Sequence, residues 1–182
     1  MVNIYKLKLT VLQQEILRLL FIKAGMTINA RGIARILEVS QPAVSKALPL
    51  LEKEGFIKVE KDKESKRLSI ELNRDKHDTI WLKRADNLKQ IYDSGLVQFL
   101  YDNFPGAVVI LFGSYAFGED TIKSDIDLAI IGAKEKALDL NKFQKMLERA
   151  ITINYYSSFK KIEEHLLNNI LNGITLKGAI EL

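Results

Sequence analysis

At 182 residues, 47% of them hydrophobic and none of them cysteine, the chain has room for one large domain or two small ones and cannot form disulfides, use a catalytic thiol or build a cysteine-bound zinc site. It contains no apolar run of about 18 residues, and its N-terminus lacks the apolar core of a signal peptide, so a soluble cytoplasmic protein with no membrane association is expected. Charge is uneven: residues 1–90 hold 18 Lys+Arg against 11 Asp+Glu, and residues 91–182 hold 9 against 12, which predicts two domains, the first facing a polyanion.

Apolar residues at Leu12, Ile16, Leu19, Leu20 and Ile22 predict an amphipathic helix from Leu9 to Ala24, stopped by Gly25. A second helix over 27–37 turns Ile28, Ile33, Ala34 and Leu37 inward. Ser40 is an N-cap with Pro42 in the following turn, so a third helix runs to about Lys53 and packs Val44, Leu48 and Leu51. Residues 56–60 and 67–72, joined by the polar turn 61–66, alternate as the two sides of a β-hairpin. The outer side of the third helix carries Ser40, Gln41, Ser45 and Lys46, short polar groups able to reach base edges or phosphates in a major groove. Lys61, Lys63, Lys66 and Arg67 on the hairpin are placed to meet the phosphates of double-stranded DNA. The alternative is that these charges are simply solvated and the module docks a protein.

Residues 73–101 read as one or two helices, with Trp81, Leu82, Leu88, Ile91, Leu96, Phe99 and Leu100 as core candidates and Lys83, Arg84 and Lys89 on the opposite side. An apolar run, Ala107 to Phe112, stops at Gly113-Ser114, and another begins after Asp125-Ile126-Asp127, so two buried strands flank a polar turn. Side chains alternate on a strand, which sends Asp125 and Asp127 to one side and Ile126 and Leu128 to the core. Two carboxylates on one patch repel, and a divalent cation between them removes the conflict. Oxygen donors without Cys or His suit Mg²⁺ or Mn²⁺ better than zinc. Gly113 permits a sharp turn and a close approach, and the Ser114 hydroxyl and amide follow where a helix can begin, an arrangement able to cradle a phosphate. Beyond these strands, a helix over 138–150, a strand over 151–156, a helix over 159–171 and a short apolar tail, 174–182, that adds an edge strand or a dimer contact complete the chain.

The run Gly113-Ser114, Gly118, ten residues between Ser114 and Asp125, then Ser124-Asp125-Ile126-Asp127-Leu128 resembles the DNA polymerase beta-like nucleotidyltransferases, especially the minimal ones, over about residues 88–182. The resemblance implies that Gly113, Ser114 and Ser124 bind the phosphates of a nucleoside triphosphate (NTP) and that Asp125 and Asp127 hold the metal and are catalytic. It also implies a third carboxylate on a later strand, where this chain offers Asn154, and a basic residue just before the second glycine, where it has Phe117, with Lys123 as a partial substitute. An amide cannot take a proton from an acceptor hydroxyl.

The segment from Ser40 to Ile57, Ser-Gln-Pro-Ala-Val-Ser-Lys-Ala-Leu-Pro-Leu-Leu-Glu-Lys-Glu-Gly-Phe-Ile, is similar to the recognition helix and wing entry of MarR-like regulators, a resemblance covering about residues 9–72. The expected fold is therefore α+β: a winged helix-turn-helix of three helices and a β-hairpin wing over 1–75, a helical connector over 76–90, and a small mixed α/β nucleotidyltransferase domain over 91–182. Two functions follow from these resemblances. One is a DNA-binding protein that transfers a nucleoside monophosphate from NTP to an acceptor; the other is a transcriptional regulator whose second domain binds nucleotide without turnover. The resemblances also imply a homodimer and a toxin–antitoxin partner.

Overall fold

In the computed structural model, residues 9–61 and 68–181 are described. Lys63, Lys66 and Arg67, three of the expected wing contacts, lie outside them. The chain divides into two compact units that meet at Thr79 and Ile80.

The first unit begins with α1, Val11–Ile22. Thr10 caps it through its hydroxyl while the Gln13 side chain returns a hydrogen bond to the Thr10 amide, a reciprocal capping box. Gln13 is nevertheless buried, because its Nε2 also donates to the Ala47 carbonyl at 3.2 Å and ties α1 to α3. The second helix, α2, is Ala30–Ile36, shorter than the expected span. Asn29 caps it, and Ile28 is drawn into an antiparallel bridge with Ile70, N–H to O at 2.8 and 2.9 Å. The third, α3, is Gln41–Lys53, capped by the Ser40 hydroxyl and burying Val44, Ala47, Leu48 and Leu51. Strands β1, Ile57–Lys61, and β2, Leu68–Leu72, pair antiparallel with Ile57 opposite Leu72. Three helices on a small antiparallel ribbon form the winged helix-turn-helix that the pattern predicted.

Helix α4, His77–Asp93, begins in the last residues of the first unit and continues into the second, where Gly95, whose φ of +75° a side chain adopts only at a cost, separates it from α5, Leu96–Asn103. A four-stranded sheet follows, in the order β5-β4-β3-β6. Its strands are β3, Val108–Phe112; β4, Ile126–Ile131; β5, Ile151–Tyr156; and β6, Ile174–Lys177. Strand β3 pairs antiparallel with β4 and β6, and β4 pairs parallel with β5. Between the strands lie α6, Gly113–Phe117, α7, Asn141–Leu147, and α8, Glu164–Leu171. The expected single helix over 159–171 is interrupted: Phe159–Lys161 makes a 3-10 turn, Ile162 and Glu163 are extended, and the Glu163 carboxylate caps α8.

Both faces of the sheet are covered, so the strands read as continuous apolar runs. Leu111, Leu128 and Ile130 pack with Ile91, Leu100 and Phe143 on one face, while Ile110, Phe112, Ala129 and Ile131 pack with Phe159, Ile162 and Ile170 on the other. Strand β6 completes the sheet edge and sends Lys177 under the end of α5, where its ammonium donates to the carbonyls of Tyr101 and Phe104. A cation there satisfies carbonyls that the last helical turn leaves without partners.

Helix α4 departs from the expected orientation. Trp81, read as a core residue, is 64% exposed, and Lys83, read as a surface residue, is fully buried. The reason is Asp120, itself buried in the loop after α6: it pairs with Lys83 on one oxygen and with Arg149 at 3.1 Å on the other. Asn87 from the same helix donates to Asp120 at 2.7 Å and to the Tyr115 carbonyl at 2.9 Å.

Candidate functional site

The site is built at one end of the two central strands. In their register Phe112 stands opposite Asp127, so the turn that leaves β3 at Gly113 and the carboxylates that open β4 are brought together by strand pairing. Gly113 has φ +73°, and a methyl group on its Cα would stand 2.6 Å from Asp127 Oδ2. Glycine is therefore required twice, by the backbone and by the carboxylate lying against it. Ser114 is half-buried in the first turn of α6, beside this contact.

Asp125 and Asp127 share the face of β4 that continues through Ala129, and both are half-buried. Burial, and then the charge of Asp125, push the Asp127 carboxyl above its ordinary pKa. Folded protein thus holds that proton more tightly than unfolded chain, so ionised Asp127 opposes folding above its folded pKa and the penalty disappears as the pH falls through it. Among the described residues no group of three or more His, Cys, Asp or Glu side chains converges on one point.

The neighbour of the pair is Thr152, not Asn154. In the parallel register Thr152 lies opposite Asp127 and Asn154 opposite Ala129, one full alternation further along β5. The Thr152 hydroxyl donates to Asp125 Oδ2 at 2.9 Å. The expected replacement at Asn154 is corrected accordingly: a hydroxyl, rather than an amide, occupies the place beside the carboxylates. The apolar alternation of β5 was visible, but its register against β4 is a long-range property.

Ser124 stands in the turn just ahead of the carboxylate pair. Its hydroxyl accepts from the Thr121 amide at 3.0 Å and closes the turn that precedes β4. Beside Gly118, Arg84 on α4 holds its guanidinium 5.7 Å from the centre of the Phe117 ring. Gly118, φ +78°, lets α6 lie directly on α4, since a methyl group there would stand 2.6 Å from the Ile80 carbonyl and 2.8 Å from the Arg84 amide. Neither contact follows from spacing; the glycine was the only signal. In the first unit Ser40, Gln41, Ser45, Lys46 and Lys61 are all exposed, with the Ser40 hydroxyl engaged in capping α3.

Fold and site together define a two-domain chain in which a winged helix-turn-helix precedes a nucleotidyltransferase-type sheet. Residues 9–69 match the MarR family and residues 94–175 match the nucleotidyltransferase domain. The chain thus carries a MarR-type domain followed by a nucleotidyltransferase domain. No curated protein matches it. Among solved structures, it is similar to ZitR of Lactococcus lactis, a zinc-responsive MarR family member, with 24% identity over 56% of this chain and 67% of that one and a TM-score of 0.41. The adhesin competence repressor AdcR of Streptococcus pyogenes gives 21% identity over 57% and 72%, with a TM-score of 0.42. The S. aureus MepR–DNA complex gives 24% identity over 52% and 81%, with a TM-score of 0.38. Among the described residues no helix is long and apolar enough to cross a membrane.

Proposed function

We propose that this is a DNA-binding protein whose second domain is a metal-dependent nucleotidyltransferase, moving a nucleoside monophosphate from NTP to an acceptor hydroxyl. The observation that carries the reading is the strand register that lays Asp127 against Gly113, with Asp125 on the same face. The donor set fits a hard cation: Mg²⁺ is commonly held by one or two carboxylates and completed by substrate phosphates and water, and Asp125 and Asp127 are such a pair. A divalent ion held there would neutralise the two carboxylates and offset the charge of the donor phosphates. Ser114, next to Gly113 in the first turn of α6, has an amide and a hydroxyl to offer a phosphate. In the first domain, exposed Gln41, Ser45 and Lys46 on α3 suit a major groove, and Lys61 at the start of the wing suits a phosphate.

The test is calorimetric titration of each NTP, with and without Mg²⁺, into wild type and into Asp125→Asn/Asp127→Asn. Magnesium-dependent binding to wild type, lost in the double variant, is the expected result; binding that is equal in both sinks the reading. Because ionised Asp127 opposes folding, the ligand-free variant should be no less stable than wild type near neutral pH, and a melting curve separates lost binding from lost fold.

A second reading is favoured by Thr152. An alcohol cannot act as the base for an acceptor hydroxyl, and with Thr152 bonded to Asp125 the domain could bind nucleotide without turning it over. This regulator would show nucleotide-dependent affinity for DNA and no transfer of labelled nucleotide.

A further inference from the structure

An open cleft of about 720 Å³ lies beside Asp125. Lys123, Ser124 and Asp125 line it together with Asn141 and Lys145 from α7 and with Arg149. Gly113, Ser114 and Asp127 do not line it. The carboxylate pair therefore has two sides: Asp127 lies against the phosphate turn, and Asp125 faces the cleft.

We propose that this cleft is the acceptor subsite and takes a phosphate-bearing acceptor, presenting its hydroxyl to Asp125. The inference rests on the nucleotidyltransferase reading above and assigns the second substrate of that same site. Three observations select this ligand chemistry. Lys123, Lys145 and Arg149 outnumber the acidic Asp125 and Glu148 on the walls. Arg149 is a buried, prepositioned cation, held by Asp120 at 3.1 Å and by the Glu148 carbonyl at 2.9 Å. Among the described residues no aromatic side chain lines the cleft, so it offers a base nothing to stack on and holds its ligand by anionic groups. In the transfer, the acceptor oxygen bonds to the α-phosphorus of NTP and the α–β bridging bond breaks. Pyrophosphate leaves, and the hydroxyl proton passes to water in the open cleft.

Backbone amide NMR spectra of the full chain test this with two probes, a short oligouridylate with a free 3′ hydroxyl and ribose 5-phosphate. Each is added with and without saturation by the α,β-methylene analogue of ATP and Mg²⁺. The expected result is that at least one probe shifts the amides of Ser124, Asn141 and Lys145 and still binds the nucleotide-saturated protein. Lys123→Glu/Lys145→Glu should weaken that probe by roughly tenfold or more. Ribose 5-phosphate binding as well as the oligonucleotide assigns a small phosphorylated acceptor; the oligonucleotide binding alone assigns a polynucleotide end. Shifts confined to α3 and the wing, competition with the ATP analogue, or affinity indifferent to the charge reversal would each overturn the assignment. Failure of the analogue to shift Gly113, Ser114 and Asp127 is a separate result: it refutes the donor site and removes the acceptor role with it.

Discussion

Asp120→Ala is expected to destabilise the second unit by about 3–5 kcal/mol, the loss typical of removing one partner from a buried ion pair. Asp120 is the counter-charge shared by Lys83 and Arg149, and all three side chains are buried almost completely. Its removal leaves two cations without that compensation in a medium that solvates them poorly. Lys83→Met should cost less, because it leaves the Arg149–Asp120 pair matched one to one and Asn87 still bonded to Asp120. Chemical denaturation of the three proteins gives the order directly; equal losses for the two variants would mean that the cluster contributes through packing rather than charge. Arg149 also lines the proposed acceptor cleft, so Asp120→Ala should weaken the binding of phosphorylated probes in whatever fraction remains folded.

Gly118→Ala should cost roughly 2–4 kcal/mol, the sum of a left-handed alanine and a steric conflict with backbone. The conflict is with the Ile80 carbonyl and the Arg84 amide, atoms inside α4 that cannot rotate away. Gly95→Ala is the control: its φ of +75° is similar, but nothing lies within 4 Å of the added methyl group, so only the backbone cost of about 1–2 kcal/mol remains. Equal losses at the two positions would mean that α6 and α4 separate without penalty. Displacing α6 also moves Gly113 and Ser114, so calorimetric affinity for Mg²⁺ and NTP should fall in Gly118→Ala and hold in Gly95→Ala.

Much of the architecture was legible because it is local. The cap at Ser40 and the apolar spacing of α1 and α3 are set by residues a few positions apart, and the structure keeps them. The Gly-Ser turn and the Asp-x-Asp pair are local in the same sense. Where expectation and structure part, a distant segment intervenes. Ile28 leaves the expected α2 to pair with Ile70. Lys83 goes inward and Trp81 outward because Asp120, 37 residues from Lys83, supplies the charge that burial of a lysine demands.

The sequence alone determined the class of each domain, their order, and which residues form the Gly-Ser turn and the carboxylate pair, since these depend on neighbours in the chain. Tertiary structure alone decided what surrounds that pair: Thr152 rather than Asn154 beside Asp125, Arg84 over Phe117, and Arg149 fixed at the cleft wall by Asp120. Each depends on strand register or on helix docking, where a shift of one residue changes the partner while leaving every local pattern intact.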